Sequence, residues 1–579
     1  MNRRWIVITT VLVTFGTLAV ACSDSSEKAG SDTTGPTTAS PTTTAKAPQV
    51  GGTLVFGAFL QPLGLDPIVA IGGGNIGGTE MAAIYDTLIR FDTTTAKYEP
   101  QTAESLAPNA DFTEWTLKLK QTIKFSDGTA YDAAAVVFGL NRHRSGLPGA
   151  PPCQEIVACP RNSQGTVSFM ALVKDIQAID QYTVKITLNE AWSGFPYALT
   201  TEVGMIPSPT ALRKCDATKN PNTCDFNLKP VGAGPFLVDS FKDKDSINLV
   251  RNPNYWGGQV FLDGIKFVSF TDAGGSKTYA SYKTGQLQVA FLGVPTTVIE
   301  AHGDKATGYS AFQQAGTALM LNTGVSVNCA AGKPEPVCTG KADGPTATNP
   351  ATKDIRVRQA FAAAIDTSVL NARAYEGKAM HGSQMMQSDF RWFPDVAGPK
   401  YDPGAARKLV GEAKTAGWDG KLRLDYPNTT TGQALGIATQ TMLQAVGIDA
   451  QLDTSRDAAT IANGVIVNKN FDVVGWGLAL TPDDGALVAL TSNLSSTSGA
   501  NFSGYKNAAV DQAIKDLRKA SNDDQKKAAF KIIAEQVAID VPFLPIFKLE
   551  NFIVWSGKVH GVVPTSRVVV LWDKVWMEK

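Results

Sequence analysis

The feature that most constrains this chain is the boundary at Cys22. Before it, Met1, Asn2, Arg3 and Arg4 lead into an unbroken apolar and small-residue run from Trp5 to Ala21. A basic start, a short apolar stretch and small residues at its end are the layout of a secretory signal, expected over 1–21. The run approaches the roughly 17 to 25 residues that span hydrocarbon, yet no basic stop-transfer cluster follows it. After the boundary, 22–50 is almost entirely Ser, Thr, Pro, Ala, Gly and Asp, without a large aliphatic residue before Val50. Such a segment buries too little apolar surface to offset its ordering entropy, so it is expected to be a linker. The long body that remains is large enough for several packed cores.

Leu18-Ala19-Val20-Ala21-Cys22 resembles a bacterial lipobox, with Ala19 where Leu is commonest. Cys22 is therefore expected to be acylated and to tether the mature chain to the outer face of a membrane. The other six cysteines form three close pairs, Cys153 with Cys159, Cys215 with Cys224, and Cys329 with Cys338. In an exported chain this clustering predicts three local disulfides. A zinc site is the rival, but no pair has CxxC spacing and the chain holds four His. Without the leader, 51 basic residues face 53 acidic ones, a balance that favours neither nucleic acid nor an anionic membrane face as partner.

Along the body, Trp115-Thr116-Leu117-Lys118-Leu119 and Val184-Lys185-Ile186-Thr187-Leu188 alternate apolar with polar, the period of half-buried strands. Thr53 to Ala58 suits a buried strand. Between 355 and 366, Val357, Phe361 and Ile365 share one helical face, and Asp402-Pro403 combines an N-cap acid with Pro at the first helical position. Strands and helices interleave throughout, so the class is mixed α and β. Asp127-Gly128, Gly232-Ala233-Gly234-Pro235 and Asn252-Pro253-Asn254 are turn signals.

Three blocks carry a resemblance. The first joins Glu104-Ser105-Leu106-Ala107-Pro108 and Trp115 to Leu119 with Ile123-Lys124-Phe125-Ser126-Asp127-Gly128-Thr129. The second runs from Val231-Gly232-Ala233-Gly234-Pro235-Phe236 to Asn252-Pro253-Asn254-Tyr255-Trp256. The third is Asp354-Ile355-Arg356-Val357-Arg358-Gln359-Ala360-Phe361, ending in Ala364-Ile365-Asp366. In this order they resemble the family 5 extracellular solute-binding proteins, the dipeptide, oligopeptide and nickel-binding group. The resemblance implies an α/β, two-lobed, periplasmic-binding-protein-like fold with a hinge cleft and a subdomain inserted in lobe I. Lobe I is then expected over 51–303, with the insertion at about 99–230, lobe II over 304–547, and a return to lobe I over 548–579. It further implies a monomer that hands a peptide or other small solute to an ABC permease, without cofactor or catalysis. Closure around the ligand would favour one state that the permease recognises.

In peptide-binding members, a strand ending in Gly-Trp is followed three residues later by an Asp that receives the peptide's α-ammonium. Here Gly475-Trp476 is followed at that distance by Ala479, or by Thr481 if the match shifts by two, and neither pairs with a cation. Asp483 and Asp484 are candidates to substitute from the next turn. Trp476 is expected to contact ligand by stacking and by one hydrogen bond. Met385 and Trp392 fall in a loop that reaches the cleft in relatives. The glycine-rich segment 72–78 formally contains GxGxxG, but an exported chain is a poor place for a nicotinamide cofactor. It is read instead as a loop at the cleft mouth, where the backbone of Asn75 and Ile76 could meet ligand.

Catalysis finds little support. GxSxG and HExxH are absent, and His143, His302, His381 and His560 stand in unrelated contexts. His143, between Arg142 and Arg144, is expected to be a solvated surface residue. The reading that remains is an importer's solute-binding protein for an oligopeptide or similar bulky solute. A glycan or glycoconjugate ligand, or a regulatory or chaperone role in the cell envelope, are the alternatives.

Overall fold

The computed structural model describes residues 46–69, 73–145, 147, 150–151, 168–215, 224–270, 272 and 274–579. The leader, Cys22, Cys153 and Cys159 lie outside the described residues. From Pro48 to Lys579 the chain forms a single compact unit.

Alternation in the sequence becomes a four-stranded antiparallel sheet, in the order Ala103–Pro108, Glu114–Leu119, Thr183–Leu188, Val173–Asp180. Trp115, Leu117 and Leu119 point inward with Val184, Ile186 and Leu188, and Leu117 pairs directly with Val184. The helix Ala133–His143, capped by the Asp132 side chain on the Ala135 N–H at 3.0 Å, packs between this sheet and the segments Glu202–Gly204 and Pro209–Leu212. It is therefore buried on nearly every side, and this corrects the expectation for His143, which is 1% exposed. Flanking arginines suggested a wet face. Instead Arg142 makes a bidentate pair with Asp66, at 2.9 and 2.7 Å, inside the protein. Burial first, and the Arg142 charge second, push the His143 imidazole down to about 3, so it is held neutral.

The larger sheet has ten strands, in the order Asp449–Asp453, Lys421–Asp425, Val473–Trp476, Gly308–Leu321, Phe543–Trp555, Val289–Leu292, Thr53–Ala58, Gly264–Ser269, Ser246–Arg251, Phe236–Lys242. Its two halves meet along one long antiparallel pair, Gly308–Leu321 and Phe543–Trp555. The pair runs in register from Gly308 opposite Val554 to Gln313 opposite Leu549, and resumes at Thr317 opposite Phe547. At the gap Ala315 takes a left-handed φ of 45°, as expected of a bulge that bends a strand. Beyond it, Ala318 to Leu321 pair onward with Val473–Trp476, while Val289–Leu292 flanks the other end through Phe552 to Trp555.

Local rules account for the remaining junctions. Asp354 caps Ile355–Ala364 through the Arg356 N–H, and Asp402 caps Pro403–Thr415 through the Ala405 N–H, each at 2.9 Å. Gly234 lies against the Ala83–Ile84 backbone, where a Cβ would come within 2.5 Å of the Ile84 carbonyl carbon. Asn252 holds the following turn through the Asn254 N–H, and delivers the Tyr255 hydroxyl to Asp86 at 2.8 Å. Cys215 is bonded to Cys224 and Cys329 to Cys338. After Trp555 the chain returns to the strands near its start. Trp572 packs edge-on to Phe56 and Phe267 and donates its indole N–H to the Thr79 carbonyl at 3.0 Å.

Candidate functional site

A cavity of about 320 Å³ lies where the long pair, the turn after Val473–Trp476 and the C-terminal segment 565–568 converge. The turn is pressed onto the bulge. Leu480 and Gln314 exchange backbone hydrogen bonds at 2.8 and 3.0 Å. Gly477 permits that approach, since a Cβ there would sit 2.4 Å from the Gly316 carbonyl oxygen. The next residues, Thr481 to Asp483, form one wall and lead into the helix Gly485–Leu494.

Asp483 is 4% exposed and lines the cavity. One of its oxygens accepts from the Thr481 hydroxyl at 2.6 Å and from the Gly485 N–H at 3.0 Å. Burial pushes its carboxyl above the usual range, and these hydrogen bonds offset part of that rise. Opposite in charge is Arg567, whose guanidinium donates through Nη1 to Glu202 at 2.9 Å and lies 5.4 Å from the Phe169 ring centroid. Glu202 is itself raised by burial, with Arg567 opposing. A guanidinium carries five donors, so Arg567 keeps capacity for a ligand anion beyond its Glu202 contact. Phe91, Phe169, Tyr197, Tyr309 and Phe312 supply aromatic walls.

Of the residues singled out from sequence, Ala479, Thr481 and Asp483 line this cavity. Asp484 is buried beside it but turned away, paired with Lys526 at 2.5 Å and accepting from the Tyr98 hydroxyl at 2.9 Å. Trp476 is half-buried, lies edge-on to Phe502 at 5.8 Å and does not line the cavity. Met385 and Trp392 are core residues. Trp392 stacks on Phe530 at 5.5 Å and donates to Asp523 at 3.0 Å. Ile76 sits in the turn at Gly73, its N–H bonded to the Gly73 carbonyl at 3.0 Å; it is Gly73, not Ile76, that reaches the cavity wall. Of Asn75 only the backbone is described, within the same turn 74–78. His381 bonds Thr367 at 3.0 Å away from the cavity.

Sequence reasoning does not reach Arg567, Glu202, Phe91, Phe169 or Tyr197. One signal was available: Arg567 is the lone charge in Val562-Val563-Pro564-Thr565-Ser566-Arg567-Val568-Val569-Val570, where a cation needs a reason. No His, Cys or Lys stands among the described residues lining the cavity, and no cluster of possible metal ligands occurs among the described residues.

A half-open cavity with charges of both signs, set where two halves of the sheet share a pair of strands, suits a solute-binding protein of the two-lobed, hinged class. The chain belongs to the bacterial extracellular solute-binding proteins, family 5, whose model for the middle region matches residues 97–500. That family serves ABC importers and is a binding class rather than a catalytic one. Among curated proteins, the glutathione-binding protein GsiB of Escherichia coli strain K12 is 25% identical over 451 residues, covering 77% of this chain and 79% of GsiB. The GsiB of Pectobacterium atrosepticum is 24% identical over 490 residues, covering 83% and 85%. Among solved structures, DppA from Helicobacter pylori in complex with the peptide STSA superposes with a TM-score of 0.71 at 22% identity, covering 92% of this chain and 99% of that one. The oligopeptide-binding protein AppA of Bacillus subtilis, in complex with a nonapeptide, gives 0.69 at 20% identity, covering 92% and 100%. No described helix is long and apolar enough to cross a membrane.

Proposed function

We propose that this chain is the lipid-anchored receptor of an ABC importer for a short, zwitterionic, peptide-like solute of about tripeptide size. The observation that carries the reading is Asp483 and Arg567 on the wall of one cavity. Asp483 would receive the ligand's ammonium, in place of the carboxylate that Ala479 lacks, and Arg567 a ligand carboxylate. The cavity, at about 320 Å³, stands at the lower end of the roughly 300 to 1,000 Å³ typical of ligand pockets. That size narrows the expected bulky solute to a short one, and the similarity to glutathione-binding proteins points the same way. Lobe I would take 51–303 and 548–579, lobe II 304–547, with the long pair as hinge, and Cys22 would carry the lipid.

Calorimetry with glutathione, unblocked tripeptides and their N-acetylated forms tests the reading. At least one unblocked ligand should saturate the protein, and removing its ammonium should weaken binding about 30-fold or more, as for a buried charge pair that loses one partner. Acetylated and free forms binding equally would overturn it. Labelling with radioactive palmitate should mark the wild type and spare Cys22→Ser.

A further inference from the structure

We propose that the cleft holds a second ligand chamber, built for an anionic, polyhydroxylated group such as an acidic sugar. This rests on the preceding reading only in taking the cleft as the place where solute is held. A cavity of about 910 Å³, nearly three times the first, lies between Ser145, Leu147 and residues 168–192 on one side and residues 466–518 on the other. The two chambers share a wall. In the helix Gly485–Leu494, Ala489 faces the first chamber, Thr491 and Ser492 face the second, and Val488 lines both.

The chemistry of the second chamber differs from that of the first. Hydroxyls crowd one side, from Thr491 and Ser492 to Thr497 and Ser498, and those of Thr491 and Ser492 bond to no protein group among the described residues. Two rings, Trp192 and Phe502, face the same space. Trp192 is 3% exposed, and its indole N–H has no acceptor among the described residues. Flat rings beside short hydroxyl side chains match a sugar, which offers an apolar C–H face and a rim of hydroxyls.

The charge follows from Lys469. Its ammonium lies 4.3 Å from the Phe502 ring centroid and has no carboxylate partner among the described residues. Glu190 is the one carboxylate among the described lining residues, and Arg518 holds it at 2.7 Å. Among the described lining residues, one positive charge is therefore uncompensated. Burial already pulls the Lys469 ammonium below its ordinary range, and an anionic ligand group would restore it.

The probe is digalacturonate, titrated into the mature chain beside an unblocked tripeptide, with a neutral disaccharide as control. Digalacturonate should bind, the neutral disaccharide roughly tenfold or more weaker, and Lys469→Met should weaken digalacturonate by a similar factor. Thr491→Phe, which fills the chamber without touching a charge, should block it also, with thermal melts confirming that both variants fold. A tripeptide bearing a glucuronate on its side chain separates two sources of the same chemistry. Sensitivity to both Lys469→Met and Asp483→Asn marks the arm of a conjugate, sensitivity to Lys469→Met alone marks a free acidic sugar, and either supports the chamber. Failure of digalacturonate to bind at millimolar concentration, or binding indifferent to Lys469→Met and Thr491→Phe, overturns it. If tripeptides fail while digalacturonate binds through Lys469, the tripeptide reading falls and the second chamber stands.

Discussion

Asp483 and Asp484 stand one peptide apart and are almost equally hidden from solvent, at 4% and 8% exposure, yet they belong to different regions of the molecule. Asp484 faces a contact between distant segments, where Lys526 and the Tyr98 hydroxyl enclose it. Lys526 is in turn held 4.6 Å from the Trp392 ring centroid. Asp483 faces the cavity and has hydrogen bonds but, among the described residues, no ion-pair contact, only the field of Arg567 from the same wall. Burial is common to both, so it does not distinguish structure from function. What distinguishes them is whether the protein or a ligand completes the charge.

The largest effect should come from the completed pair. Asp484→Ala leaves the largely enclosed Lys526 ammonium with only the Asp523 charge near it and takes the acceptor from the Tyr98 hydroxyl, and is expected to cost about 3 kcal/mol in urea denaturation. An unchanged midpoint would erase the contrast with Asp483. Next comes Asp483→Asn, which retains an acceptor for Thr481 and Gly485. Tripeptide affinity should fall about 30-fold or more, while the melting temperature holds or rises because a desolvated carboxylate has been removed.

A third test uses acids that are buried away from the cavity. Burial raises Glu80 and Asp86 to about 7 each, with the Asp573 charge adding to the rise at Asp86. Folding therefore favours their protonated forms, and stability should decline as pH climbs from the ordinary carboxylate range to about 7. Melting temperatures at pH 5 and pH 8 should show the fall, and Glu80→Gln should flatten it. Asp483, raised by burial in the same sense, should add to that fall and respond through affinity as well. Its raised carboxyl takes up a proton as pH falls, so binding of an ammonium ligand should weaken on acidification, beginning above the normal carboxylate range. The smallest effect is expected from Trp476→Phe, which removes about 1 kcal/mol or less of aromatic packing on Phe502 and should leave tripeptide affinity within about threefold.

Much of the scaffold was legible because its signals are local. Trp115, Leu117 and Leu119 disclose a half-buried strand by their spacing, and Asp402 before Pro403 discloses a helix start by the N–H group it caps. His143 was misread because Arg142 and Arg144 look like a wet face, and the carboxylate that neutralises Arg142 comes from Asp66, far back in the chain. The site was less legible for the same reason. Asp483 was within reach as a neighbour of the Gly475-Trp476 strand end, whereas Arg567, Glu202 and Tyr197 are brought to it from separate segments by packing. Trp476 shows the limit of analogy by position. The strand places it, but the cavity forms beyond Gly477, on the turn that the bulge receives.

The long pair of strands has a mechanical consequence. Backbone bonds join it on both sides of the bulge, from Gly308 to Gln313 and from Thr317 to Met320, so neither half can slide along the other without breaking a ladder. A bend of the pair would fall at the lapse between Gln313 and Ala318, as in a book whose spine bends at one crease. A membrane protein that touches both covers would then read a single angle, and solute would be reported as geometry rather than as a change in the surface it touches.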